Sequence, residues 1–276
     1  MDSTTYDGNT IIVGYEGLVL TAKTGSNEWS RFQVEGKPSF IDVAACGSKV
    51  AALTMGGEIW VSDGKSNNWT GQKIGTVEVP QALTCDQKEV LWTVGSFSTI
   101  YSSEDSGKTW VNHSLEDDII LSTIQFLDDK KGIITGEFGT VLFTEDGGET
   151  WDFGESIPKE FFPLASTFKD AQRGWVVGLN GIIYFTEDGG SNWNQQPTDT
   201  VAPLFAIQVI EDQLVAVGDD GSIIHNDVDS SQNQNWKVLN TETKSRSFFR
   251  VIEEINQEQI IVAGANGSLM TVDLEN

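Results

Sequence analysis

Positive charge is scarce in this sequence. Seventeen lysines and arginines stand against 41 aspartates and glutamates, a net charge of −24 over 276 residues. A surface of that sign repels phosphate backbones and anionic lipid, which argues against nucleic acid as a partner. Two readings of the acidity stay open: solubility in a salty or extracytoplasmic setting, and attraction to a basic partner. Long apolar runs are missing as well. No stretch approaches the ~18 residues of a membrane span, so no direct membrane insertion is expected. Met1–Tyr6 shows neither a basic region nor an apolar core, so no signal peptide is expected there. The protein is then extracytoplasmic, in the periplasm or secreted, if a leader has been removed, and cytoplasmic otherwise.

Histidine and cysteine number two each. His113 and His225 have no ligand spacing between them. Asp227-Val228-Asp229 starts like a calcium loop but lacks the required glycine at Gln232 and the closing acid at Val238. Neither a metal nor a cofactor is expected. Proline is also sparse, and no segment keeps a helical apolar period.

What the chain does have is glycine and tryptophan in phase. Trp29, Trp69, Trp110, Trp151, Trp193 and Trp236 recur about every 41 residues. Gly14, Gly56, Gly95, Gly136, Gly178, Gly218 and Gly264 form a second series. Each of these glycines follows an apolar run and precedes another. Prolines stand just before the first apolar run of a repeat, at Pro38, Pro80, Pro163 and Pro203, where a missing N–H is tolerated. Repeat five reads as four strands: Pro163–Phe168, Gly174–Val177, Gly181–Phe185 and Trp193–Gln196. Trp92 and Trp175 occupy matching second strands and are expected to pack between blades. Repeats of this period bury their faces by stacking around an axis. The expected fold is all-β, one seven-bladed β-propeller of four-stranded antiparallel blades over residues 1–276, and a monomer. The N-terminal residues could complete blade one or blade seven.

Three repeats carry Ser/Thr-x-Asp-x-Gly-x-Thr/Asn-Trp, an Asp-box, at Ser103–Trp110, Thr144–Trp151 and Thr186–Trp193. Asp105, Asp146 and Asp188 can accept hydrogen bonds from turn amides. Gly107, Gly148 and Gly190 permit a left-handed backbone, and Trp110, Trp151 and Trp193 bury their rings beside the turn. A structural role accounts for position, spacing and repetition together, so these acids are not expected to be catalytic.

Such boxes resemble those of the sialidase repeat proteins and of the photosystem II stability/assembly factor family. Residues 163–193 are very similar to the second. That resemblance covers about residues 80–225. It implies a propeller without enzymatic activity that escorts or stabilises a membrane complex from the extracytoplasmic side. The partner it implies is a protein, such as a membrane complex or its peptide tail. Photosynthetic members are expected to dock through an arginine-rich patch, whereas this chain has only Arg31, Arg173, Arg246 and Arg250. The implied role is that of a non-photosynthetic homologue serving an envelope transport or export complex.

The alternative is a sialidase-like glycoside hydrolase or a sugar-binding propeller. That chemistry needs an arginine triad on the substrate carboxylate and a tyrosine nucleophile with a glutamate base. Tyr101 and Tyr184 fall in third strands, where packing explains them. For docking, Lys131 and Arg173 each lie five residues before a repeat glycine, in matching hairpins. Phe161 and Phe162 sit in a connection and are candidates for an exposed contact. Cys46 and Cys85 each lie ten residues before a glycine of the series. Equivalent positions on adjacent blades are expected to be too far apart for a disulfide.

Overall fold

In the computed structural model the chain folds into seven consecutive antiparallel sheets, six with four strands and one with three. It describes residues 1–65, 67–75, 79–158, 160–229, 235–239, 247–256 and 258–274. Gln232 and Arg246 lie outside these. The fold is a seven-bladed β-propeller. Two compact units are formed, Met1–Gly136 with Leu142–Phe153, and Glu137–Val141 with Gly154–Asn276.

The strands follow the alternation of apolar runs and turns. Blade five runs Pro163–Phe168, Gly174–Gly178, Ile183–Thr186 and Asn194–Gln196, within two residues of expectation. The second strands are largely buried, being flanked by strands on both sides; Gly174–Gly178 has no exposed position. Trp92 and Trp175 are buried between blades. Trp92 packs with Leu121, Ile134 and Trp151 of the following blade, and Trp175 with Leu204, Leu214 and Trp236. The N-terminus completes blade one, since Asp2–Tyr6 pairs with Asn9–Val13. Blade seven keeps three strands, ending with Leu269–Asp273.

First strands of successive blades pack on each other within each unit. Their outward amides are met by side chains one repeat earlier: Val43 N donates to Asp2 Oδ2 at 3.2 Å, and Leu83 N to Asp42 Oδ2 at 2.6 Å. Burial, and then the neighbouring Asp2 carboxylate, raise the Asp42 pKa well above the usual carboxylate range.

Two expectations are corrected here. Gly56 is not the equivalent of the other repeat glycines. Thr54 takes that place, pairing with Phe40 as Gly95 pairs with Pro80 and Gly178 with Pro163. Cys46 and Cys85 are therefore not equivalent, and they do form a disulfide, with Cα atoms 5.4 Å apart. By register, Ala45 is the counterpart of Cys85, so Cys46 is one residue further along. Side chains alternate faces along a strand. Equivalent cysteines would both point toward the preceding blade; the offset turns Cys46 toward blade three, where it packs with Leu83 and Leu91. The first strands also approach more closely than stacked sheets in general, which brings the pair within bonding reach.

The bridge closes a sequence separation of 39 residues. Replacing both cysteines by alanine is expected to cost about 2–4 kcal/mol. Thermal melts with and without reductant check this. Thiol titration of the denatured, unreduced protein should find no free group.

Candidate functional site

Each of the three boxes lies between the third and fourth strands of its blade. In blade four, Thr144 Oγ1 donates to Asp146 Oδ1 at 2.8 Å and accepts from Gly148 N at 2.8 Å. Asp146 Oδ1 also accepts from Thr150 N, and Oδ2 accepts from Thr150 Oγ1. Ser103, Asp105, Gly107 and Thr109 repeat the pattern, as do Thr186, Asp188, Gly190 and Asn192. These donors hold the carboxylates ionised. Asp146 is lowered to about 2, chiefly by the Thr150 hydroxyl, and Asp105 to about 2, chiefly by the Thr109 amide. Asp188 shifts the same way through the Asn192 side chain. A carboxylate so low in pKa and so fully engaged is a poor proton carrier at neutral pH. Trp151 and Trp193 are buried beside their turns. Trp110 is half-buried and donates Nε1–H to Gly107 O at 3.1 Å.

Lys131 lies in the hairpin between the first and second strands of blade four, where its amide donates to Asp128 Oδ1. Arg173 occupies the matching hairpin of blade five. Its guanidinium is already engaged, with Nε and Nη2 on Asp170 and Nη1 on Asp229 Oδ1 at 2.8 Å. It therefore clamps blade five to blade six rather than offering a free cation. Phe161 is buried, its ring edge-on to Tyr184 at 5.1 Å, and Phe162 is half-buried. Arg173 and the two phenylalanines lie at opposite ends of the strand Pro163–Phe168, roughly 20 Å apart at ~3.3 Å per residue. They do not form one site.

The sequence reading missed a different set. Among the described residues, ten large apolar side chains are exposed. Tyr15, Met55, Phe97, Phe138 and Leu179 lie in the turns between second and third strands, and Val79 and Val201 in the connections that lead into first strands. Those two kinds of segment share the same end of their blades, opposite the boxes. The other three, Val111, Phe153 and Val238, lie on fourth strands. Phe97 and Phe138 are 59% and 61% exposed and hold left-handed backbone, with φ of +56° and +59°. A bulky residue at positive φ is uncommon, and such a conformation costs of order 1–3 kcal/mol. Apolar residues inside steps such as Gly136-Glu137-Phe138-Gly139 were the signal, masked by the turn chemistry around them.

The box pKa values set a pH test. Their folded values lie below the ordinary carboxylate value of about 4, so the stabilisation is complete above that pH and is lost as pH falls toward about 2. Asp146→Asn should lower the melting temperature at neutral pH. The gap to wild type should close between about pH 4 and pH 2. A gap independent of pH would count against the ionised turn.

Residues 110–209 match the family model of the photosynthesis system II assembly factor YCF48. No curated protein matches the sequence. Among solved structures, YCF48 bound to D1 peptide is 15% identical, covering 97% of this chain and 89% of that one, with a TM-score of 0.76. YCF48 from Cyanidioschyzon merolae is 16% identical, covering 100% and 95%, with a TM-score of 0.78. Virginiamycin B lyase from Staphylococcus aureus is 14% identical, covering 99% and 94%, with a TM-score of 0.83. At these identities the likeness is one of fold. The resemblance read from the repeats is borne out in the family match: over residues 110–209 the chain carries the repeat of the photosystem II assembly factor family.

Proposed function

We propose that the protein is a non-catalytic docking propeller that holds a protein partner at the turn end of its blades, on the extracytoplasmic side and beside a membrane complex. The observation that carries this is the placement of exposed apolar residues. Among the described residues, seven of the ten stand in turns or entry connections at one end of their blades, and none stands in the boxes at the other. Exposed apolar surface that is concentrated rather than scattered marks an interaction site.

The YCF48 relative bound to a D1 peptide supports a peptide or protein ligand for this kind of propeller. The Cys46–Cys85 bridge supports an oxidising compartment. The box carboxylates support a structural rather than catalytic reading, because turn donors occupy them. Of the arginines a sialidase would need, Arg173 is tied to two aspartates and Arg250 lies over the Phe205 ring at 5.7 Å.

Affinity capture from the native envelope, with wild type and the variant Tyr15→Ser, Met55→Ser, Phe97→Ser, tests this. Wild type should retain a membrane-complex subunit, and the triple variant, equally folded, should lose it. Lys131→Glu should leave capture intact. The reverse pattern would return the site to the hairpin end.

A further inference from the structure

We infer that the turn end of blades one to three docks an apolar protein segment carrying lysine or arginine. This rests on the docking reading above and adds the chemistry of the partner.

Three neighbouring blades present the apolar contacts. Tyr15, Met55 and Phe97 are each about half exposed or more, and the first strands beneath them pack blade against blade. The turns that carry them are tied by backbone hydrogen bonds to neighbouring connections, the Phe97 turn on both sides. Gly17 N donates to Pro38 O at 2.6 Å, Met55 N to Ser39 O at 3.4 Å, Ser96 N to Val79 O at 3.1 Å and Ser98 N to Ile119 O at 2.8 Å. A platform fixed before binding loses little entropy on association. Phe97 is held in left-handed backbone with its ring in solvent, an arrangement that gives the fold nothing and a partner an aromatic anchor.

Charge selects the partner. Glu16, Glu35, Glu116, Asp117 and Asp118 are exposed on the same end, against Lys37 and Lys73. Lys23, Lys49, Lys65, Lys88 and Lys108 of these blades stand at the box end, and Arg31 lies along a fourth strand. The acids differ in use as well as in place. Several at the box end accept turn amides, as Asp63 does from Lys65 and Asp86 from Lys88 and Val90. Among the described residues, the side chains of the five turn-end acids make no hydrogen bond. Unengaged carboxylates around aromatic and thioether contacts attract a cationic, apolar segment. They repel an acidic peptide, and a net charge of −24 repels a second copy of this chain.

Fluorescence anisotropy with two synthetic peptides tests the inference. Both share one pattern of leucine and phenylalanine; one carries lysines between them and the other glutamates. The lysine peptide should bind at physiological salt, and less tightly as salt rises. Binding should fall by about tenfold or more in the variant Tyr15→Ser, Met55→Ser, Phe97→Ser, consistent with loss of an anchor cluster. It should fall similarly in Glu116→Lys, Asp117→Lys, Asp118→Lys, and stay unchanged in Lys131→Glu. Circular dichroism melts establish that each variant is folded. Binding of the glutamate peptide that depends on Tyr15, Met55 and Phe97 would overturn the cationic partner and leave the docking end standing. Lysine-peptide binding indifferent to those residues, or no binding of either peptide, would overturn both. A wild-type dimer in sedimentation that the apolar variant abolishes would make a second copy the occupant and overturn the inference.

Discussion

The blades depend on a close backbone approach at the turn between second and third strands. In blade five the Phe162 carbonyl comes so near Gly178 that a Cβ there would collide with it. Glycine is the residue that permits this, and the repeat glycine follows from it. The turn is then held from both sides. Its second residue donates to the connection entering its own blade, as Asp219 does to Pro203 O, and its fourth to the connection entering the next, as Gly221 does to Ser247 O. A proline at the entry gives up an amide the ladder does not need. Glycine step, proline entry and blade spacing are consequences of one contact.

Blade two shows what happens without that glycine. Thr54 stands in its place, and its hydroxyl accepts from Glu58 N at 3.0 Å, so a side chain helps close the turn. Two glycines follow, at 56 and 57, and the sequence offers no mark that says which belongs to the series. The two-residue shift of that turn, together with a first hairpin one residue shorter in blade two than in blade three, leaves Cys46 one position beyond the counterpart of Cys85. The strands and blade count were legible because apolar alternation and tryptophan spacing report burial locally. The disulfide was not, because it depends on a one-residue offset between strands that meet only in the folded blade pair.

The site was less legible than the fold for a similar reason. Matching hairpins for Lys131 and Arg173 could be read from spacing. That Asp229, 56 residues from Arg173, takes up its guanidinium could not. Phe161 reads as a loop residue, yet it is buried against Tyr184 because the connection turns inward beneath the Gly139 turn, whose amide bonds to its carbonyl at 2.6 Å. Conversely, Tyr15, Met55 and Phe97 sit among residues whose types announce a turn, where side-chain identity is ordinarily free.

That freedom bears on function. The turn fold constrains backbone, leaving the second and third turn residues open to almost any side chain. Blade six places Asp219 and Asp220 there, and blade seven Ala265 and Asn266. These show that polar residues satisfy the turn, and Asn and Asp adopt positive φ at lower cost than phenylalanine. Phe97 and Phe138 are therefore not required by the local structure and are mildly opposed by it. Burial does not compensate, since both rings are exposed. Under the docking reading proposed above, a residue disfavoured by backbone and solvent alike would meet a contact outside the chain, and the turn is the part of each blade that can carry such a residue without disturbing the packing beneath it.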